Sequence, residues 1–191
     1  MVEKKQFIRV LLSPLFIILT VIILPSTGKS LLFLPLIFAL SVFLFNGDKI
    51  KIKPKVLNLL IASAQSYAVF LGLAIVLYLL DDYMPEIYIA ENQFDFKGIA
   101  LVTFGGYLAA LLLFYFYTFL FKVQYKRMAY LIISVAYAVV MLVMQIFSNN
   151  EFLQFGVEKF TSFLISWLIF MSLAYSLAIN NVLVKIIFNK D

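Results

Sequence analysis

Neither cysteine nor histidine occurs in the 191 residues. Without a thiol there is no disulfide, no thiolate metal site and no cysteine nucleophile. Without imidazole the commonest general acid–base group is missing, and with it zinc and haem ligation and the serine–histidine pair. Charge is scarce as well. Charged residues make up 13% of the chain against about 25% in soluble domains, and hydrophobic ones 64% against roughly 45–50%. A soluble globule of that composition would expose large apolar patches and aggregate. Disorder requires the opposite composition, low hydrophobicity with high charge. Walker loops, G-x-S-x-G elbows and H-E-x-x-H are absent too. The expectation is a polytopic membrane protein that is not an enzyme and takes no cofactor or metal.

What the chain has instead is long apolar runs. A helix needs about 20 mostly apolar residues to cross a hydrocarbon core of about 30 Å. Six runs come close: Phe7–Leu24, Ser30–Asn46, Val56–Leu80, Gly98–Phe121, Met128–Phe147 and Phe160–Val184. The expected fold is therefore all-α, a single membrane domain over residues 1–191 built as a bundle of six segments. The first two are short, carry Pro14 and Pro35, and are separated by Pro25-Ser26-Thr27-Gly28-Lys29 alone. They form either a tight spanning hairpin or a re-entrant pair that does not cross completely. No small-residue cleavage site follows the first run, so it reads as a retained segment rather than a signal peptide.

Basic residues set the orientation. With the N-terminus inside and six alternating segments, the inner side receives Lys4, Lys5, Arg9, Lys49, Lys51, Lys53, Lys55, Lys122, Lys126, Arg127, Lys185 and Lys190. Lys29, Lys97 and Lys159 remain outside, with Asp81, Asp82, Glu86, Glu91, Asp95, Glu151 and Glu158. Both termini are expected in the cytoplasm. Topology and membrane lipids account for the net charge of +5, so direct nucleic-acid binding is not expected.

Helices in lipid associate by close packing, which small residues spaced four apart permit. Ala64, Ala68 and Gly72 form such a stripe in the third run, and Gly105, Gly106, Ala109 and Ala110 form another in the fourth. Ser134 with Ala138, Ser162 with Ser166 and Ser172 with Ser176 follow in the last two. Segments three to six are expected to make the packed core, with the first hairpin peripheral and some stripes serving a homo-oligomer. No ionisable residue lies in mid-span, which argues against carboxylate-coupled transport. An intramembrane aspartyl protease would need Asp pairs within spans, and Asp81-Asp82 sit at a boundary. The deepest polar residues are Gln65, Ser66, Tyr67, Thr103, Tyr107, Ser134, Tyr137, Gln145, Ser172 and Tyr175. They serve either interhelical hydrogen bonds or a neutral pocket.

The segment Asn46–Lys55 is the most distinctive on the inner side. Asn46-Gly47-Asp48 is a turn signal. Lys49, Lys51, Lys53 and Lys55 then alternate with Ile50, Ile52 and Pro54, which predicts an extended strand with charges on one side. With Lys122, Lys126 and Arg127 they make a basic surface for anionic headgroups or for an acidic cytosolic partner. Outside, Asp81–Lys97 mixes acids with Tyr83, Tyr88, Phe94 and Phe96, a composition suited to lying at headgroup level. Asn149-Asn150-Glu151 is expected to cap a short helix across Phe152–Phe160.

Two families share this outline. Substrate-binding subunits of energy-coupling-factor vitamin transporters have similar length, span number and orientation. Their alanine-rich first span is not matched by Phe-Ile-Arg-Val-Leu-Leu-Ser-Pro-Leu-Phe-Ile-Ile-Leu-Thr here. The chain also resembles KwaA, the membrane-subunit family of bacterial Kiwa anti-phage systems, in size, in spans without catalytic residues, and in Lys49-Ile50-Lys51-Ile52-Lys53-Pro54-Lys55. That family's span count of four fits if the first hairpin does not cross fully. The resemblance implies an oligomeric inner-membrane sensor that holds a DNA-binding cytosolic subunit. The functional expectation is accordingly a non-enzymatic scaffold or sensor. A small-solute transporter subunit is the alternative, followed by a pore-forming effector.

Overall fold

The computed structural model describes residues 4–23, 32–83, 96–147 and 157–182. The apolar runs become six α-helices: α1 (Lys4–Ile23), α2 (Leu34–Phe45), α3 (Lys55–Tyr83), α4 (Phe96–Leu120), α5 (Lys126–Phe147) and α6 (Val157–Asn180). All but α2 are long and apolar enough to cross a membrane, as a multi-pass membrane protein requires. The 12 residues of α2 rise only about 18 Å, short of a full crossing. Pro35 lies in its first turn, where a missing N–H costs nothing. Pro14, by contrast, is accommodated inside α1.

The helices pack as a closed ring in chain order. Each contacts the next, and α6 closes the ring on α1, while α2 also reaches across to α6. Aromatic side chains fill the centre. Phe38 of α2 lies 5.7 Å from Trp167 and 5.3 Å from Tyr175, both on α6. Phe114 and Tyr117 of α4 lie 5.2 and 5.7 Å from Tyr175, and Phe70 of α3 lies 5.4 Å from Trp167. Edge-on and tilted pairs of this kind add about 0.5–1.5 kcal/mol each beyond ordinary burial.

The expected division of labour between segments is corrected here. The first hairpin is not peripheral, because α2 buries Leu34, Ile37, Phe38, Ala39 and Val42 between α1, α3 and α6. Buried positions make up 61% of the spanning window of α6 but only 17% of that of α3. An apolar helix in lipid gives no hint of which side is protein, and α2 is apolar all round.

The small-residue stripes separate likewise. On α4 Gly105, Gly106, Ala109 and Ala110 are buried, as expected. A Cβ on Gly106 would stand 2.8 Å from Tyr137 Oη and 2.9 Å from Phe163 Cζ, so glycine makes room here for the ends of two rings from α5 and α6. On α3 the expectation of internal packing fails. Ala64 and Ala68 face outward, and nothing lies within 4 Å of where Gly72 would carry a Cβ. The inward face is Ala62, Ser66 and Val69, rotated by about 200° because each residue turns the helix 100°.

Candidate functional site at the basic end of the bundle

With the ring alternating up and down, the starts of α1, α3 and α5 meet the ends of α2, α4 and α6. Hydrogen bonds at this end show how. The backbone N–H of Lys51 donates to Leu120 O at 2.8 Å, and that of Lys122 donates to Lys49 O at 2.7 Å. They flank one antiparallel bridge between Ile50 and Phe121. The loop after α2 is thereby clasped to the loop after α4. The clasp sets the loop with Lys49, Lys51 and Lys53 beside the loop with Lys122, while Lys55 opens α3 and Lys126 and Arg127 open α5.

The expected strand over Lys49–Lys55 does not form. Gly47–Lys49 makes one 3-10 turn, a single bridge follows, and α3 already begins at Lys55. The alternation survives in its effect: Ile50 and Ile52 pack on the core while Lys51 and Lys53 stay exposed. Two anchored isoleucines are enough to fix the facing of the charges, without a ladder.

The clasp also finishes α4. The last carbonyls of a helix have no partner within it. Here Leu120 O receives the Lys51 N–H, Thr118 O receives the Lys51 ammonium at 2.5 Å, and Tyr117 O receives the Phe121 N–H at 2.9 Å. A cation suits the negative end of a helix dipole. Partial burial and, after it, the charge of Lys126 hold the Lys51 ammonium below the usual lysine pKa. Lys126 and Arg127 open α5 where the dipole prefers acids, and no acid occupies that first turn. Arg9 of α1 pairs with Asp48 at 2.8 Å, so this carboxylate is already engaged. Among the described residues, basic side chains outnumber the one carboxylate at this end, Asp48.

Sequence reasoning missed the support beneath it. Asn46 and Asn180 are buried at the ends of α2 and α6. The Asn180 amide donates to Asn46 Oδ1 at 2.6 Å and to Ser176 O at 2.9 Å. The Asn46 amide donates to Val42 O at 2.7 Å and to Ser176 Oγ at 3.1 Å. Asn181, in the left-handed conformation that asparagine tolerates after a helix, reaches Gln124 Oε1 at 3.2 Å. Asn46 was legible only as a turn residue. The pair Asn180-Asn181 closing an apolar run was the available signal for an ordered helix end.

Several of the deep polar residues bond across helices, whereas Ser172 donates to Ile169 O within α6 and the buried Gln65 Oε1 has no partner among the described residues. Ser66 and Tyr117 hydroxyls are 2.9 Å apart, and those of Tyr107 and Ser134 are 2.8 Å apart. Tyr137 donates to Thr103 O at 2.9 Å, Tyr175 to Ala110 O at 2.5 Å, and Trp167 to Gly106 O at 3.0 Å. Tyr67 reaches Leu32 O at 2.9 Å. The loop within Asp81–Lys97 and the proposed cap at Asn149-Asn150-Glu151 lie mostly outside the described residues. Of Phe152–Phe160, the end from Val157 onward is already part of α6.

Among the described residues no three carboxylates gather to hold a metal ion. Comparison with protein families, with curated proteins and with solved structures returns no match.

Proposed function

We propose that the protein is a scaffold or sensor subunit of the bacterial inner membrane, non-enzymatic, with N- and C-termini inside, that recruits or regulates an acidic cytosolic partner. One observation carries this reading: two loops far apart in sequence are clasped together, and among the described residues their basic side chains outnumber the one carboxylate at this end, Asp48, which pairs with Arg9. Such a face attracts an acidic surface and sets its register. The amides of Asn46 and Asn180 tie the clasp to α2 and α6, so a shift of either helix would reach the docking loop. The signal would then be mechanical or ligand-borne, a shift between two arrangements of the bundle. The Kiwa resemblance makes the partner DNA-binding and the setting antiviral defence, with the chain as a homo-oligomer. Against the transporter alternative stand the interhelical bonds that engage the hydroxyls of Ser66, Tyr117, Tyr107, Ser134 and Tyr175.

The test is co-purification across a salt series with Lys53→Glu/Lys122→Glu/Arg127→Glu. Association in the unmutated protein should fall as salt rises, and the variant should lose the partner while still inserting. An inserted variant that keeps its partner sinks the reading, as does recovery of no acidic protein at low salt.

A further inference from the structure

Lys51 is placed unlike the other lysines of the basic end. Its ammonium turns back along α4 to Thr118 O, inside the helix end, and Lys126 is the charge that bears on it. Thr118 itself is buried, but Tyr115 and Phe119 on either side of it in sequence are exposed, and their rings pack edge-on at 5.1 Å. These rings end an outward apolar stripe that begins at Phe104 and runs through Leu108 and Leu112. Steps of three or four residues keep the stripe on one side of the helix. The stripe thus ends within a residue of the carbonyl that holds the Lys51 ammonium, α5 opens with Lys126 at the same end, and the carboxylate described there, Asp48, is held by Arg9.

We propose that Lys51 and Lys126 bind the phosphodiester headgroup of an anionic phospholipid in the adjoining leaflet, with an acyl chain along the α4 stripe. The lipid is favoured over an acidic protein at this spot because its two halves match the two halves of the site. A protein acid would meet the charges but leave the stripe unmatched. The anion relieves the repulsion between the two amines and adds to the closure of α4 that Lys51 provides. This site needs no protein partner and stands apart from the docking reading.

Native mass spectrometry of the detergent-purified chain, with equimolar phosphatidylglycerol and phosphatidylcholine, tests the assignment. The unmutated protein should retain phosphatidylglycerol over phosphatidylcholine by about tenfold. Lys51→Gln/Lys126→Gln should abolish that preference, while Lys53→Gln/Lys55→Gln, equal in charge lost, should keep it. Phe119→Asp should lose it with both lysines in place, which covers the case of a poorly folded double variant. Equal loss in both double variants would mean diffuse attraction and would overturn the proposal, as would no preference in the unmutated chain. Inorganic phosphate at millimolar concentration should leave the lipid bound. Displacement by phosphate alone, or by an acidic peptide, would make this a small-anion or protein site and end the lipid assignment.

Discussion

Helices α3 and α4 carry the same sequence signature and use it in opposite ways. Each has small residues four apart, Ala64, Ala68 and Gly72 on one and Gly106 with Ala110 on the other. On α4 they admit Tyr137, Phe163 and the Trp167 indole N–H; on α3 they look outward. Small residues lower the cost of close approach but do not say what approaches. The polar neighbours orient the helix. The buried side of α3 is the one bearing Ser66, whose hydroxyl lies 2.9 Å from that of Tyr117, a bond that favours this facing. Ala64 and Ala68 are carried to the far side.

The largest break in that comparison comes from enlarging one glycine on each helix. Gly106→Leu should destabilise by about 3 kcal/mol or more, because even a Cβ at this position overlaps Tyr137 and Phe163. Gly72→Leu, with open space around it, should stay within about 0.5 kcal/mol of the unmutated protein. Unfolding in mixed micelles and monodispersity on gel filtration measure both. Equal tolerance would mean that the α4 stripe is not a packing surface.

A smaller effect is expected where the polar marks of α2 and α6 meet. Asn180→Leu removes the donor to Asn46 Oδ1 and leaves a buried acceptor unpaired, which costs about 1–3 kcal/mol. Asn46→Ala/Asn180→Leu should recover part of the loss, since neither half is then orphaned. The chain's lack of cysteine allows a second readout. A maleimide should label Gly47→Cys faster in the Asn180→Leu background if the amide pair steadies the clasp. Unchanged labelling would detach the pair from the loop.

Six helices, their limits to within a few residues and the gathering of basic loops were legible, because hydropathy and charge act on segments as wholes. The basic residues could be assigned to one end from parity alone, and the Ile50–Phe121 bridge gives that grouping its physical form. Facing was not legible. Within Leu34–Phe45 only Ser41, buried one turn from Phe38, marks a side; hydropathy alone does not distinguish Phe38, fully buried among three aromatic rings, from the exposed Leu44. The transfer free energy that sorts such residues in water vanishes when the outside is also hydrocarbon. Polar residues retain a bias in lipid, and of the ten deep ones Ser66, Tyr107, Ser134, Tyr137 and Tyr175 bond across helices, while Ser172 bonds within α6 and Gln65 Oε1 has no partner among the described residues. For Asn46, a turn signature concealed a buried role, because asparagine serves both uses with the same amide.

The finest test of the contrast between α3 and α4 is the bond that orients α3. Ser66→Ala and Tyr117→Phe each remove one hydroxyl from a pair 2.9 Å apart, and together they remove both. Interhelical bonds of this type average about 0.6 kcal/mol in double-mutant cycles and reach about 1.7. The coupling here should lie toward the upper value, because both side chains are fully buried and water cannot substitute for the lost partner. Each single variant leaves one hydroxyl unpaired, so the double variant should be more stable than the sum of the singles implies. Cysteines at Ala64 and Ala62, reacted with a membrane-permeant maleimide in each background, then read facing directly. Ala64→Cys should label and Ala62→Cys should not in the unmutated protein, and the difference should narrow once both hydroxyls are gone. If it stays as wide, apolar packing at Val69 and Phe70 sets the rotation of α3, and Ser66 only follows it.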